Sequence, residues 1–222
     1  MIKIEKIHVD NIARAVYSAR NAMNSWDKSD SDLETDTLGE NDLALAKKLS
    51  KSGTDHRKFL RMINVTADIT APLYWWKEFD TYKVGTVANS CSTMHKLTAK
   101  EFTLDDFSCE HLMRDAEDWN IEEEYAEGES PLAALEYTIA VLNFYRKKYL
   151  ETKDKRYWWQ MIQLLPSSYN QLRTVQLNYE VLLNIYHARK AHKLDEWRAF
   201  CKVIETLPYF KEICLGGEPN AE

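Results

Sequence analysis

Residues 69–97 read ITAPLYWWKEFDTYKVGTVANSCSTMHKL. The residues just before, 58–69, alternate and include β-branched side chains, which predicts a strand. Pro72 costs little in a first helical turn, so 71–83 is expected to be a helix. Tyr74, Trp75 and Trp76 are adjacent on it, and adjacent helical residues point in different directions. At most one or two of them can face a ligand; core packing or a subunit interface uses the rest. Residues 85–92 are small and polar with no helical stripe and are expected to form a loop. Strand, helix and polar loop in direct succession point to a mixed α+β chain.

Toward the N-terminus, residues 2–9 set Ile2, Ile4 and Ile7 against Lys3, Glu5 and Lys6, a pattern that suits a strand with one buried face. Residues 12–23 read as a helix and 27–39 as a polar loop rich in Asp, Ser and Thr. Asn41 can cap a short helix running to about residue 49. Toward the C-terminus, Thr103 stands as the cap of a helix from Leu104. Residues 115–129 are acidic and read as a solvated loop. Ser130 as cap and Pro131 in the first helical position open a long helix to about residue 150. Pro166 ends the next, shorter helix. Ser168-x-x-Gln171 resembles a capping box, and a helix is expected from there to about residue 190, carrying Leu172, Val175, Leu182, Ile185 and Tyr186. A last helix spans about 194–207. Gly216, Gly217 and Pro219 mark a frayed end, so residues 1–214 are expected to form one domain and 215–222 a tail.

The net charge of -6 argues against a general nucleic-acid binder, which needs a basic patch. A small anionic ligand stays open, because a pocket can be basic on an acidic protein. Seven Trp, twelve Tyr and seven Phe suffice for a large core and for flat walls around a ligand. Cys91, Cys109, Cys201 and Cys214 form no CxxC pair, so neither a disulfide framework nor a structural zinc site is expected, and the cytoplasm is the expected compartment. Cys109 and His111 have no second ligand pair, and His187 and His192 do not share a helical face. No apolar run approaches the ~20 residues of a membrane helix, and the charged, alternating N-terminus is unlike a signal peptide.

The 69–97 segment resembles the signature region of the flavin-dependent thymidylate synthases. There a strand leads through a Pro-Leu helix to Arg-His-Arg, then Ser, Asn-Glu, and Ser and Arg at alternate positions. The frame fits without gaps. His56 falls at the His of the family's Gly-His segment. A second block starts at Leu165-Pro166, where the family has a Leu-Pro turn and a long C-terminal helix. The family's Asn-x-Arg, second Asn and final Arg fall on Asn178, Glu180, Asn184 and Arg189. Several positions depart from the pattern. Thr81, Tyr82 and Lys83 replace Arg-His-Arg, and Ala88 and Asn89 replace Asn-Glu. Cys91 and Thr93 replace Ser and Arg. Ile162 and Glu180 replace two further arginines. The family uses such arginines on substrate phosphate and flavin, and Thr or Ile cannot clamp a dianion.

The resemblance implies an α+β fold with a small antiparallel sheet packed with several long helices. It also implies FAD as hydride carrier, a uracil nucleotide substrate, a folate as methylene donor, and a homotetramer with sites between subunits. The cofactor would carry the difficult chemistry. His56, Asn89, Asn178 and Asn184 are the candidate cofactor residues; Lys83, Thr93 and Arg189 are the candidate substrate residues. Cys91, Tyr82 and Arg189 are the catalytic candidates. Eleven residues are close to three helical turns, so Asn178 and Arg189 are expected on nearly one helical face. Arg189 offers a planar fork to an anion or carbonyl, or is a surface arginine at a helix C-terminus. His56 can stack on a flavin or stand in solvent. Cys91 follows a helix bearing Lys77 and Lys83, and a nearby cation favours a thiolate that can attack an electron-poor ring carbon. The alternative is a small, inert residue in a tight loop. The other readings of the whole chain are a degenerate homologue that has lost FAD and acts as a nucleotide-binding, regulatory or structural protein, and a protein of the same shape that takes a different nucleotide or base-like ligand through Cys91 or Tyr82.

Overall fold

The computed structural model describes residues 2–114 and 130–216; the expected acidic loop at 115–129 and the end of the tail lie outside them. The chain is α+β, with a four-stranded antiparallel sheet. Strands β1 (Lys3–Asp10), β2 (Asn64–Pro72), β3 (Val87–Ser90) and β4 (Asn170–Asn178) stand in the order β1-β2-β4-β3. The helices are α1 (Ile12–Ala19), α2 (Glu40–Lys51), α3 (Leu73–Phe79), α4 (Thr93–Lys96), α5 (Pro131–Thr152), α6 (Lys155–Leu164), α7 (Tyr179–Arg189), α8 (Asp195–Ile204) and α9 (Phe210–Cys214). The chain divides into two compact units. One comprises residues 70–77 and 90–172; the other comprises 2–69, 78–89 and the residues from 173 on.

The second unit holds most of the strand residues. Ile63, Val65, Ala67 and Ile69 are buried, as are Val175 and Leu177 of β4. Strand β1 forms where the alternation predicts it, but its face is less buried than expected: Ile2 and Ile4 are half-buried and Ile7 is exposed. Lys6 has φ 49 within β1. This left-handed residue interrupts the alternation, and Ile4 and Ile7, three apart, line one apolar groove with Val65 and Leu177.

The polar segment 27–39 does more than connect. Asp36 accepts the N–H groups of Ile12 and Ala13 at 3.0 and 2.7 Å and so caps α1 from a distance. Asp30 does the same for α2, accepting from Asn41 and Asp42 at 2.8 and 3.0 Å. Asn41 is therefore inside the helix, where it was expected to be the cap. Helix α1 stops at Ala19 and one 3-10 turn, Arg20–Met23, completes the predicted span.

In the first unit, Ser130 caps α5 as expected, accepting from Ala133 N at 3.2 Å, with Pro131 opening the helix. Leu135, Ile139, Leu142, Met161, Phe102 and Phe107 make its core. Trp75 and Trp76 are fully buried within 4.9 Å of each other, edge to face, and Trp76 Nε1 donates to Gln171 O at 2.9 Å. The pair builds the core. Thr103 forms its capping box with Asp106, but the helix it opens is a single 3-10 turn, Leu104–Asp106.

Four further predicted spans are corrected. Residues 58–62 are a 3-10 turn, so the strand starts at Asn64. Pro72 closes β2, and α3 starts after it and ends at Phe79. The expected loop at 85–92 contains β3, an edge strand exposed at all four residues. The largest correction is at 170–178, which is strand β4. There Gln171, Val175 and Leu177 are buried and Leu172, Thr174 and Gln176 exposed. The period is two over most of that span, and the apparent capping box at Ser168 is a coincidence of spacing. Helix α9 follows the last predicted helix and was not foreseen.

Candidate functional site

Strand β4 ends at Asn178, which is the N-cap of α7: its Oδ1 accepts from Val181 N at 3.0 Å. Asn178 thus lies outside the helix, and the expected shared face with Arg189 is replaced by a cap at one end and a side chain in the last turn. Val181 and Asn184, three apart on α7, stand beside the segment after α3. Together with Thr81, Tyr82, Lys83 and Val84 they line an open cleft of about 270 Å³. Gly85 lets the two segments approach. Its φ is 79, and a Cβ there would sit 3.0 Å from Asn178 Nδ2 and 3.1 Å from Val181 Cγ2.

Arg189 stands behind Tyr82. Its Nε donates to the Tyr82 hydroxyl at 2.9 Å and its Nη1 to Glu78 Oε2 at 2.7 Å, while His192 Nε2 lies 2.9 Å from Nη1. The guanidinium lies 4.7 Å from the centre of the Trp197 ring and 5.7 Å from that of Tyr82. Trp197 Nε1 donates to the same Glu78 oxygen at 2.9 Å. Arg189 is therefore braced by a carboxylate, a phenol and an indole. Because guanidinium only donates, the Tyr82 oxygen must accept from it, which leaves the Tyr82 proton for another partner.

Of the predicted site residues, the structure brings Tyr82, Lys83 and Asn184 to the cleft, with Arg189 joined to Tyr82 and Asn178 capping α7 outside the lining. His56 is exposed in the turn before the 3-10 segment, and Asn89 is exposed on β3. Neither lines the cleft. Cys91 and Thr93 belong to the other unit. Cys91 is exposed, and its backbone is held by Leu172 O and by the side chain of Gln171, at 2.9 and 2.7 Å. Glu78, His192 and Trp197 were missed by the sequence reading. Glu78 and Arg189 are 111 residues apart, and no local pattern pairs them.

Chemically, the cleft offers one ammonium at Lys83, one amide at Asn184, one hydroxyl proton at Tyr82 and an apolar wall from Val84 and Val181. That set suits one anionic group and one ring edge, and its volume is at the small end of ligand sites, roughly 300 Å³ upward. A flavin dinucleotide asks for more, because its two phosphates need several cationic or N–H donors. The oxygen of Asn178 is used in capping. At position 180 a buried carboxylate is held by Arg57 at 3.0 Å. Within this chain, the residues present do not fit the whole dinucleotide. Among the described residues no group of three or more His, Cys, Asp or Glu could hold a metal ion, and no helix is long and apolar enough to cross a membrane.

Comparison with solved structures gives clear fold likenesses. Thymidylate synthase X (ThyX) from Helicobacter pylori, solved with FAD and dUMP, superposes with a TM-score of 0.67 at 16% identity, covering 96% of this chain and 97% of that one. The UMP/dUMP methylase PolB from Streptomyces cacaoi, bound with 5-Br dUMP, gives a TM-score of 0.62 at 15% identity over 96% and 91% of the two chains. These likenesses establish the fold. No family model matches the sequence, and no curated protein matches it significantly.

Proposed function

We propose that this chain acts on a uracil nucleotide, as a nucleotide-methylating enzyme of the flavin-dependent kind. The observation that carries the reading is the fold likeness over 96% of the chain to two proteins that hold uracil nucleotides, one of them together with FAD. In this reading Lys83 binds the phosphate, and Asn184 and the Tyr82 proton meet the pyrimidine edge. Val84 and Val181 exclude water from one side of the ring. Arg189 acts through Tyr82, which it orients. Asn178 holds the end of α7 in place. His56, Asn89, Thr93 and Cys91 have their role, if they touch ligand, in a site completed by another copy of the chain. The resemblance implies a homotetramer with sites between subunits, and such a site would supply the donors that a flavin needs and one chain lacks. A folate as methylene donor is part of the same proposal.

A second reading is favoured by one specific feature. The resemblance sets an arginine at position 180, where this chain has Glu180, a carboxylate held by Arg57, so the chain would bind a pyrimidine nucleotide and have lost the flavin. One experiment separates the two. The purified protein is mixed with FAD, freed of excess and scanned for a flavin absorption band, and its melting point is followed with UMP and dUMP. A retained band with a nucleotide-dependent rise in melting point supports the flavin enzyme. A rise without a band supports the second reading. No band and no rise overturns both.

A further inference from the structure

We propose that Glu78 sets how much negative charge the cleft accepts, by neutralising Arg189. The inference rests on the reading of the cleft as a pyrimidine site and names the residue that tunes its phosphate affinity. Lys83 is the one cation lining the cleft among the described residues, and it makes no ion pair among them. The second cation, Arg189, is one residue behind the wall, joined to Tyr82 at 2.9 Å. Only the Tyr82 side chain stands between that guanidinium and the cleft, and a charge acts over ~10 Å in physiological salt. Glu78 Oε2 sits 2.7 Å from Arg189 Nη1; Arg189 is largely shielded and Glu78 half-buried, at 18% and 35% exposure, so the carboxylate offsets part of the guanidinium's charge at the cleft.

The brace is built to hold that carboxylate in place. Trp197 Nε1 binds the same oxygen, and the Trp197 and Tyr82 rings flank the guanidinium. Arg189 Nη2 has no hydrogen bond among the described residues, so the cation keeps donors in reserve while its charge is masked. A dianionic phosphate therefore meets Lys83 alone. A nucleoside, having no phosphate, is indifferent to the mask.

The test compares uridine with UMP on the full chain. Glu78→Gln removes the charge and keeps an oxygen acceptor for Arg189 and Trp197. UMP should then bind about tenfold tighter, which is the effect of one unmasked charge across a few ångströms of partly buried protein, while uridine changes less than about twofold. Glu78→Asp, which keeps the charge, should retain the wild-type ratio of UMP to uridine affinity. The double variant Glu78→Gln/Arg189→Gln removes both charges and should also keep that ratio, and it serves if Glu78→Gln alone does not fold. If uridine and UMP both bind and the ratio is unmoved in Glu78→Gln, the masking role falls while the pyrimidine reading stands. A double variant whose ratio departs tenfold from wild type likewise overturns it. If neither compound binds any of the proteins, the pyrimidine reading falls and takes this inference with it.

Discussion

Arg57 grips a single oxygen of Glu180, with Nε at 3.2 Å and Nη2 at 3.0 Å, across 123 residues of sequence. The other oxygen, Oε2, is buried without a hydrogen-bond partner among the described residues. A half-served buried carboxylate is costly, and one arginine offsets the cost only while it stays in place. Glu180→Ala strands Arg57 and should lower stability by about 2–4 kcal/mol in urea unfolding. The double replacement Arg57→Met/Glu180→Leu removes both charges and should recover most of that loss. If the double variant is as unstable as the single, the ion pair is not what position 180 contributes.

Asp42 is fully buried against Arg20, whose Nε lies at 2.6 Å, and takes the hydroxyls of Ser29 and Ser31 at 2.6 Å each. Burial alone would raise its carboxyl, but the hydrogen bonds from Ser29, Ser31 and Arg20 win and hold it below the usual carboxylate range. The folded state thus favours the ionised form. Its contribution is complete above the unfolded value of about 3.9 and is lost as pH falls through the lower folded value. Asp42→Asn should cost about 3 kcal/mol near neutral pH. The melting-point gap between wild type and variant should narrow below about pH 4. A gap independent of pH would sink the assignment.

These two pairs also show which parts of the fold were legible. Two signals confined to a few residues read correctly: Ser130-Pro131 opens α5, and Pro166 follows the end of α6. The order of strand, helix and polar segment around Pro72 was right, although each boundary moved. Residues 170–178 were misread because a capping-box spacing and a few apolar positions mimic a helix, while the alternation of Gln171, Val175 and Leu177 was overlooked. The caps from Asp30 and Asp36, the partner of Glu180 and the brace on Arg189 are invisible locally, since each joins segments that only the fold brings together. At the site, the sequence singled out Tyr82, Lys83, Asn184 and Arg189 through a resemblance. It gave no sign that Arg189 is masked by Glu78.

Gly85 couples the cleft to its frame. Its φ of 79 lies in the left-handed region, and a Cβ would press on Asn178 Nδ2 and Val181 Cγ2 at 3.0 and 3.1 Å. Gly85→Ala should cost about 1–2 kcal/mol from the backbone alone. It should also shift Asn178, the N-cap of α7, and Val181, a wall of the cleft, by a few tenths of an ångström. Thermal unfolding with and without UMP checks both parts: a lower melting point together with a smaller UMP-induced rise is expected. A variant that is destabilised yet responds to UMP as wild type does would separate Gly85 from the site.

The four thiols should differ sharply in reactivity, because a thiolate is the nucleophile and desolvation keeps a thiol protonated. Desolvation is the main cause that pushes Cys201 up to about 11 and Cys214 up to about 12, with Glu205 and Glu180 respectively adding to it. Cys91 is exposed, and Cys109 is half-buried. A chromogenic disulfide reagent at mildly alkaline pH should therefore find one fast thiol in the native protein, absent from Cys91→Ser. Cys109 should follow slowly, and Cys201 and Cys214 should react only on unfolding. Fast labelling that survives Cys91→Ser but is lost on Cys109→Ser would assign it to Cys109; labelling that survives both would mean that α8 or α9 opens readily. Loss of the fast phase with undiminished nucleotide binding would leave Cys91 an accessible thiol outside the binding site. Loss of both would place it at the ligand, where its sulfur can be tested for attack on the ring.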